Sequence, residues 1–190
     1  MKNYHSNQHQ ATQVLEADNR SPSPAPGKSI STTKHPKVTT AKVETLAKLY
    51  LEGNPAEIPD RTIAELCDWL WSEFQTTPLN LEFSWFDRYN NVAEMFADIQ
   101  QSHLWVSPEN YHTTLDLNPI YSFIFQALHD NDHFQTQSDF SIEGEIASYN
   151  ATAKRAPSLD IQKIIYSESV LRPAAQLFLG HQPIFKIVFA

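Results

Sequence analysis

Four glycines, Gly27, Gly53, Gly144 and Gly180, punctuate 190 residues, and this scarcity constrains the fold more than any other feature of the chain. Tight hairpins need residues that tolerate positive φ, so a fold built from many short strands is disfavoured. Glycine-rich loops that cradle nucleotide phosphates are absent for the same reason. Apolar residues recur instead at helical spacing. Val43, Leu46, Leu49 and Tyr50 predict a first helix that ends near Gly53-Asn54-Pro55. Asp60 precedes Ile63, Leu66, Cys67, Leu70 and Trp71, which predict a second helix to about Gln75. Trp85, Tyr89, Val92, Met95, Phe96 and Ile99 suggest a third, and the four tryptophans (Trp69, Trp71, Trp85, Trp105) are assigned to the core.

Asn118-Pro119 opens a strongly apolar helix through His129-Asp130, with proline in its first turn. A polar break at 136–139 separates it from a helix starting near Ser141. Ser158 caps a last long helix, bent at Pro173 and stopped at Gly180, and Pro183–Phe189 forms a short strand or a docked extended segment. The expected fold class is all-α, a single compact helical domain of about six helices over residues 43–190. Residues 1–42 are polar, contain Ser21-Pro22-Ser23-Pro24-Ala25-Pro26, and read as a disordered tail. His5, His9 and His35 in that tail lack partners at ligand spacing.

Charge divides the chain in the same place. Residues 1–42 hold six Lys/Arg against two acids, leaving eight basic against twenty acidic residues, or −12, for the remainder. Between Arg88 and Lys154 there is no Lys or Arg but nine acids. Such a segment repels phosphate backbones and attracts cations, so nucleic acid is excluded as a partner of the body. The single cysteine, Cys67, excludes an internal disulfide and fits a reducing, cytoplasmic setting. No apolar run reaches the roughly 18–20 residues that span a bilayer, so the expectation is a soluble protein with at most peripheral membrane contact.

The chemistry concentrates in one stretch. His129 and His133 are four apart, so on a helix both imidazoles project from one face. In a chain with eight histidines that pair is weak by itself. Glu145 adds weight, because a turn at 136–140 sets it opposite His133 on the following helix. Asp130 stands about a quarter-turn from the His129 face, either as a fourth ligand or as an acceptor holding an imidazole. His129, Asp130, His133 and Glu145 are therefore the candidate metal ligands, a nitrogen and oxygen set suited to zinc ahead of iron or magnesium. Glu145 or Asp130, whichever is not coordinated, is the candidate proton carrier. Gly144 allows close approach of the neighbouring helix or of a ligand. His112, Asp116 and Glu168 are further candidates for completing the site. His103 and His181 have no evident partners, Glu143 should face solvent, and Cys67 within a helical core is a poor nucleophile.

The string His129-Asp130-x-x-His133, Thr136 and Gly144-Glu145 resembles the His-Asp-x-x-His, eleven residues, Glu motif of the coenzyme Q biosynthesis protein family numbered four, over about residues 120–150. The resemblance implies a helical fold, a divalent ion on the positions matching His129, Asp130, His133 and Glu145, and a hydrophobic small-molecule substrate, a polyprenyl-tailed aromatic precursor. It also implies a lyase-like reaction, replacement of a ring carboxyl by a hydroxyl, at a membrane surface. The residue after Thr136 is Gln137, where the family pattern has glycine. Ala127 to Glu145 is equally similar to a group of phage-associated and bacterial proteins with an Ala-x-His-Asp stretch followed by Phe and Gly-Glu, which implies a metal site without a known reaction. Two other functions stay open: a structural ion in an interaction or lipid-binding module, and a metal-dependent phosphohydrolase with His112 before the dyad and Asp160 after it. The second ranks lower, because phosphate chemistry recruits cationic groups and the segment has none.

Overall fold

Helix caps written into the sequence set the element boundaries. The computed structural model describes residues 40–108 and 118–190. Thr40 caps α1 (Ala41–Glu52) by accepting from the Val43 N–H. The chain then runs through α2 (Asp60–Thr76), β1 (Asn80–Phe83), α3 (Val92–Ile99), β2 (His103–Val106), α4 (Pro119–Thr136) and α5 (Ile142–Ala153). It ends in a helical rod made of α6 (Leu159–Tyr166), a π turn (Ser167–Leu171) and α7 (Arg172–Leu179). Asn118, Ser141 and Ser158 cap α4, α5 and α6 through their side-chain oxygens, relieving N–H groups that a helix start leaves unpaired. With the rod taken as one helix, the described residues hold six helices, the expected number.

The all-α expectation needs one correction. β1 and β2 pair in parallel, with Asn80 opposite His103 and Phe83 opposite Val106, and α3 lies on the crossover between them. Parallel neighbours cannot be joined by a tight turn, so a β-α-β unit can form in a chain nearly free of glycine. Leu104 and Val106 point inward and join Met95, Ile99 and Ala127 in one apolar cluster. The expected third helix is correspondingly shorter, since Asn91 caps it and Trp85 and Tyr89 lie before it. Trp85 is 72% and Phe86 70% exposed, so the tryptophans are not all core: Trp69 is buried, but Trp71 is also exposed.

Two larger clusters hold the helices together. One joins α1, α7 and Val188, with Tyr50, Leu171 and Ala174 at its centre. The other joins α2, α4, α6 and Ile187 through Leu70, Ile124, Ile161 and Ile164. The bend expected at Pro173 is a π turn immediately before it. Proline lacks the N–H for the preceding turn, and widening that turn is one way a helix accommodates it. Gly180 closes α7 in the left-handed conformation. The C-terminal residues dock as an extended segment and not as a strand. The Ile184 carbonyl and the Lys186 N–H both bond the Tyr50 hydroxyl, the Ala56 N–H bonds the Ile187 carbonyl, and Lys186 Nζ donates to the Leu51 and Gly53 carbonyls. A lysine there complements the negative end of α1.

The α4–α5 turn positions the candidate site. Gln137 ends α4 with φ 51°, the left-handed region that favours glycine. A side chain there costs about 1 kcal/mol relative to glycine. Gln137→Gly is therefore expected to raise the denaturant midpoint by the equivalent of about 0.5–1 kcal/mol at unchanged slope. An unchanged or lowered midpoint contradicts this account of the turn.

Candidate metal centre

Facing stripes of polar side chains run along α4 and α5. On α4 the stripe is His129, Asp132, His133 and Thr136; on α5 it is Glu145, Ser148 and Thr152, at spacings that share one helix face. Packed together, the stripes bury groups that proteins seldom bury alone. His133 is 0% exposed, Asp132 2% and Glu145 6%.

Three ligand atoms converge at one end of this seam. His129 Nε2 lies 3.2 Å from His133 Nε2 and 3.3 Å from Glu145 Oε2, and His133 Nε2 lies 3.5 Å from the same oxygen. His129, His133 and Glu145 form a group able to hold a metal ion. The second nitrogens face supporting atoms. His133 Nδ1 is 3.2 Å from the Ser138 carbonyl and 3.1 Å from its hydroxyl. A carbonyl only accepts, so Nδ1 carries the proton and the Nε2 lone pair faces the cluster. His129 Nδ1 is 3.5 Å from the Ser148 hydroxyl. With that tautomer, a neutral His129 can offer its Nε2 lone pair to the same point. Glu145 Oε2 is buried without accepting a hydrogen bond.

Ring contacts hold both imidazoles. Phe125 stacks on His129 at 9° between planes, and Phe140 meets His133 edge-on with centroids 4.8 Å apart. Gly144 also has a definite role, since a Cβ there would collide with the Asp139 carbonyl of the connecting turn. The Ser138 hydroxyl lies 3.3 Å from the Gly144 carbonyl, so the same turn that supports His133 is fastened to α5.

Electrostatics accompany the burial. Burial by itself raises the Glu145 carboxyl, but in the metal-free chain the positive charge and N–H donation of a protonated His129, and then of His133, outweigh it and bring the group down to about 2. Burial by itself lowers His129, and the Glu145 carboxylate turns that into a net rise.

Asp130 lies apart from the triangle. Its carboxylate makes no hydrogen bond among the described residues, and burial raises it to about 6 against the partly offsetting pull of His129 and His133. Its neighbour on the stripe, Asp132, makes the defined contacts: it accepts from the Thr152 hydroxyl at 2.5 Å and from Arg155 Nη2 at 2.8 Å. Arg155 also pairs with Glu73 at 2.5 Å. A cation thus reaches the seam from just beyond the segment that lacks Lys and Arg, though it is spent on two carboxylates. The helical periodicity of 129, 132 and 133 was the available signal for Asp132, which sequence reasoning passed over in favour of Asp130.

Among the other candidates, Glu168 sits in the π turn, pairs with Arg172 at 3.0 Å and is not a member of the His129, His133 and Glu145 group. Asp160 is exposed near the start of α6. His112 and Asp116 lie outside the described residues. His103 does have partners, with Nδ1 2.7 Å from Asp98 and Nε2 3.5 Å from Glu82, contrary to expectation. Glu143 is exposed as expected, and burial raises the half-buried Cys67 thiol, in keeping with a poor nucleophile. Comparison of the chain with protein-family models, with curated proteins and with solved structures finds no match.

Asp130 gives the site a pH signature. A carboxyl raised in the fold keeps a proton that the unfolded chain releases, so stability falls as pH rises from about 3.8 to about 6 and stays lower above it. In metal-free protein, Asp130→Asn should therefore stabilise more at pH 7.5 than at pH 5. The excess should be about 1 kcal/mol, or about 3 °C in Tm, after allowance for solvent screening. Equal gains at both pH values would contradict the placement of Asp130.

Proposed function

We propose that the α4–α5 seam is a zinc-type divalent-metal centre with an open coordination position, held by His129, His133 and Glu145. The observation that carries this reading is the triangle of ligand atoms. Four ligands at about 2.0–2.1 Å from a tetrahedral ion stand about 3.3 Å apart, whereas octahedral neighbours at that bond length stand only about 2.9 Å apart. The three separations of 3.2, 3.3 and 3.5 Å support the tetrahedral case. The orphaned Glu145 oxygen supports it further, because a buried carboxylate oxygen without a donor calls for a cation.

Three protein ligands leave a fourth position, the arrangement of catalytic sites as opposed to closed structural ones. A divalent ion there lowers the pKa of bound water and polarises a carbonyl or carboxylate oxygen. Asp130, outside the triangle and holding its proton up to about pH 6, is suited to carry a proton near the site. Ser138 and Ser148 hold the imidazoles in their metal-binding tautomer.

The likeness of His129-Asp130-x-x-His133 and Gly144-Glu145 to the coenzyme Q family motif supports the same ligand set with Asp130 added, and a lyase acting on a polyprenylated aromatic. That substrate needs room for its tail. The cleft beside His129 encloses about the space of one water molecule, far below the roughly 300 Å³ at which sites for larger organic ligands begin, and so does not by itself accommodate such a substrate. Among the described residues no helix is long and apolar enough to cross a membrane.

Metal analysis of the full chain tests the proposal. Stripped protein titrated with zinc should bind one equivalent tightly, and His133→Ala or Glu145→Gln should weaken binding at least tenfold to a hundredfold while both variants still melt cooperatively. Equal zinc affinity in the parent and both variants, or no uptake by the parent under metal-replete conditions, overturns the reading.

A further inference from the structure

Apart from α4 and α5, a second imidazole is backed by a carboxylate. His103 opens β2, and its Nδ1 lies 2.7 Å from Asp98 Oδ2 near the end of α3. The same oxygen accepts from the Tyr89 hydroxyl at 2.5 Å, and that hydroxyl accepts in turn from the Trp105 N–H at 2.8 Å. Burial, reinforced by Asp98, raises the Tyr89 hydroxyl well above its ordinary value, so it stays a donor. A carboxylate only accepts, which places the His103 proton on Nδ1 and leaves Nε2 of the neutral ring with a lone pair. Trp105 meets the ring edge-on with centroids 5.3 Å apart and so restrains its plane. A carboxylate on the far nitrogen is the usual support of a metal-binding histidine.

In front of Nε2 stands another carboxylate. Asn80 is opposite His103 and Glu82 opposite Trp105 in the parallel pair, so Glu82 and His103 are diagonal neighbours on one sheet face. Glu82 Oε1 lies 3.5 Å from His103 Nε2. A charge-assisted N–H···O bond between such groups runs about 2.7–2.9 Å, whereas two ligands at about 2.0–2.1 Å from one tetrahedral ion stand about 3.3 Å apart. The gap is therefore closer to that of two ligands sharing an ion than to that of a donor meeting an acceptor. Both side chains reach solvent, His103 with 21% and Glu82 with 47% of its surface accessible, so an ion can enter and keep water at its remaining positions.

We infer that His103 Nε2 and the Glu82 carboxylate form a second, solvent-open site for a zinc-type divalent cation, with Asp98 as a positioning residue behind the imidazole. The site does not rest on the α4–α5 centre, since none of its residues belongs to the His129, His133 and Glu145 group. Two protein ligands make it the weaker of the two. Arg88 lowers its affinity further, because the guanidinium over the Trp105 ring, 4.7 Å from its centroid, is a positive charge nearby. An ion at this point ties β1 to β2, two strands of only four residues each.

Nitrogen-15 NMR of the histidine side chains in the full chain, at about pH 8, follows each imidazole by itself and so reads the two sites separately. His103 signals are assigned by their loss in His103→Gln. Before metal is added, His103 should carry its proton on Nδ1 and none on Nε2. Zinc added beyond the first equivalent should then move the Nε2 resonance with a Kd of about 10–100 µM while Nδ1 keeps its proton. Glu82→Gln, at an exposed position, should weaken this step at least tenfold and leave the His129 and His133 responses as in the parent. Asp98→Asn should still melt cooperatively, raise the fraction of His103 protonated on Nε2 and weaken zinc about tenfold. A proton on Nε2 in the parent, an Nε2 resonance unmoved by zinc up to about 1 mM, or an affinity unaltered in Glu82→Gln overturns the inference and leaves an ordinary histidine–carboxylate contact. None of these results touches the α4–α5 centre, whose failure shows as His129 and His133 signals that do not respond to zinc.

Discussion

The polar seam between α4 and α5 is the constraint on which the rest of the structure depends. Burying Asp132, His133 and Glu145 between two helices costs several kcal/mol per unpaired charge, and the fold tolerates it only because partners are supplied from both sides. Asp132 receives Thr152 and Arg155, and His133 receives Ser138. Glu145 alone keeps an oxygen without a donor, beside two imidazoles that can turn their lone pairs to the same point. One end of the seam is thus satisfied within the protein and the other is left suited to a cation. That asymmetry separates a structural half, Asp132 with Thr152 and Arg155, from a chemical half, His129 with His133 and Glu145.

The turn that closes the seam shows the same economy. Helices α2 and α3 and the helical rod pack against the pair, yet the register of α4 on α5 is set within residues 137–144. Gln137 takes the left-handed cap, Ser138 bonds back to His133 and forward to Gly144, and the missing side chain of Gly144 lets the Asp139 carbonyl pass. A glycine at 137 would suit the turn better, and the protein keeps the strain at the point where backbone direction aims the two helices that carry the candidate ligands. Farther out, the docked C-terminal segment locks α1 against the rod through Tyr50 and Ser167, which steadies the far end of the bundle without touching the site.

Much of this was legible in the sequence, and the residues show why. Capping by Asn118, Ser141 and Ser158 and long apolar periodicity are local signals, so the helix starts and the α4–α5 hairpin could be read directly. The i, i+4 pairing of His129 with His133, and the approach of Glu145 across the turn, followed from helix geometry. The two strands did not follow. Four residues carry too short an alternation, and Trp85 with Tyr89 mimicked an extension of α3 while lying outside it. Asp130 was favoured for adjoining His129 in sequence, whereas adjacency on a helix turns a side chain away and Asp132 shares the buried face. Arg155 at the seam and the partners of His103 are tertiary facts with no local trace.

X-ray absorption at the zinc edge of the zinc-loaded full chain addresses the central claim most directly. The account predicts four-coordinate zinc with two imidazole nitrogens and one or two oxygens at about 2.0–2.1 Å, and the imidazole ring scattering that accompanies them. Sulfur in the first shell, a six-oxygen shell, or no imidazole scattering would contradict it.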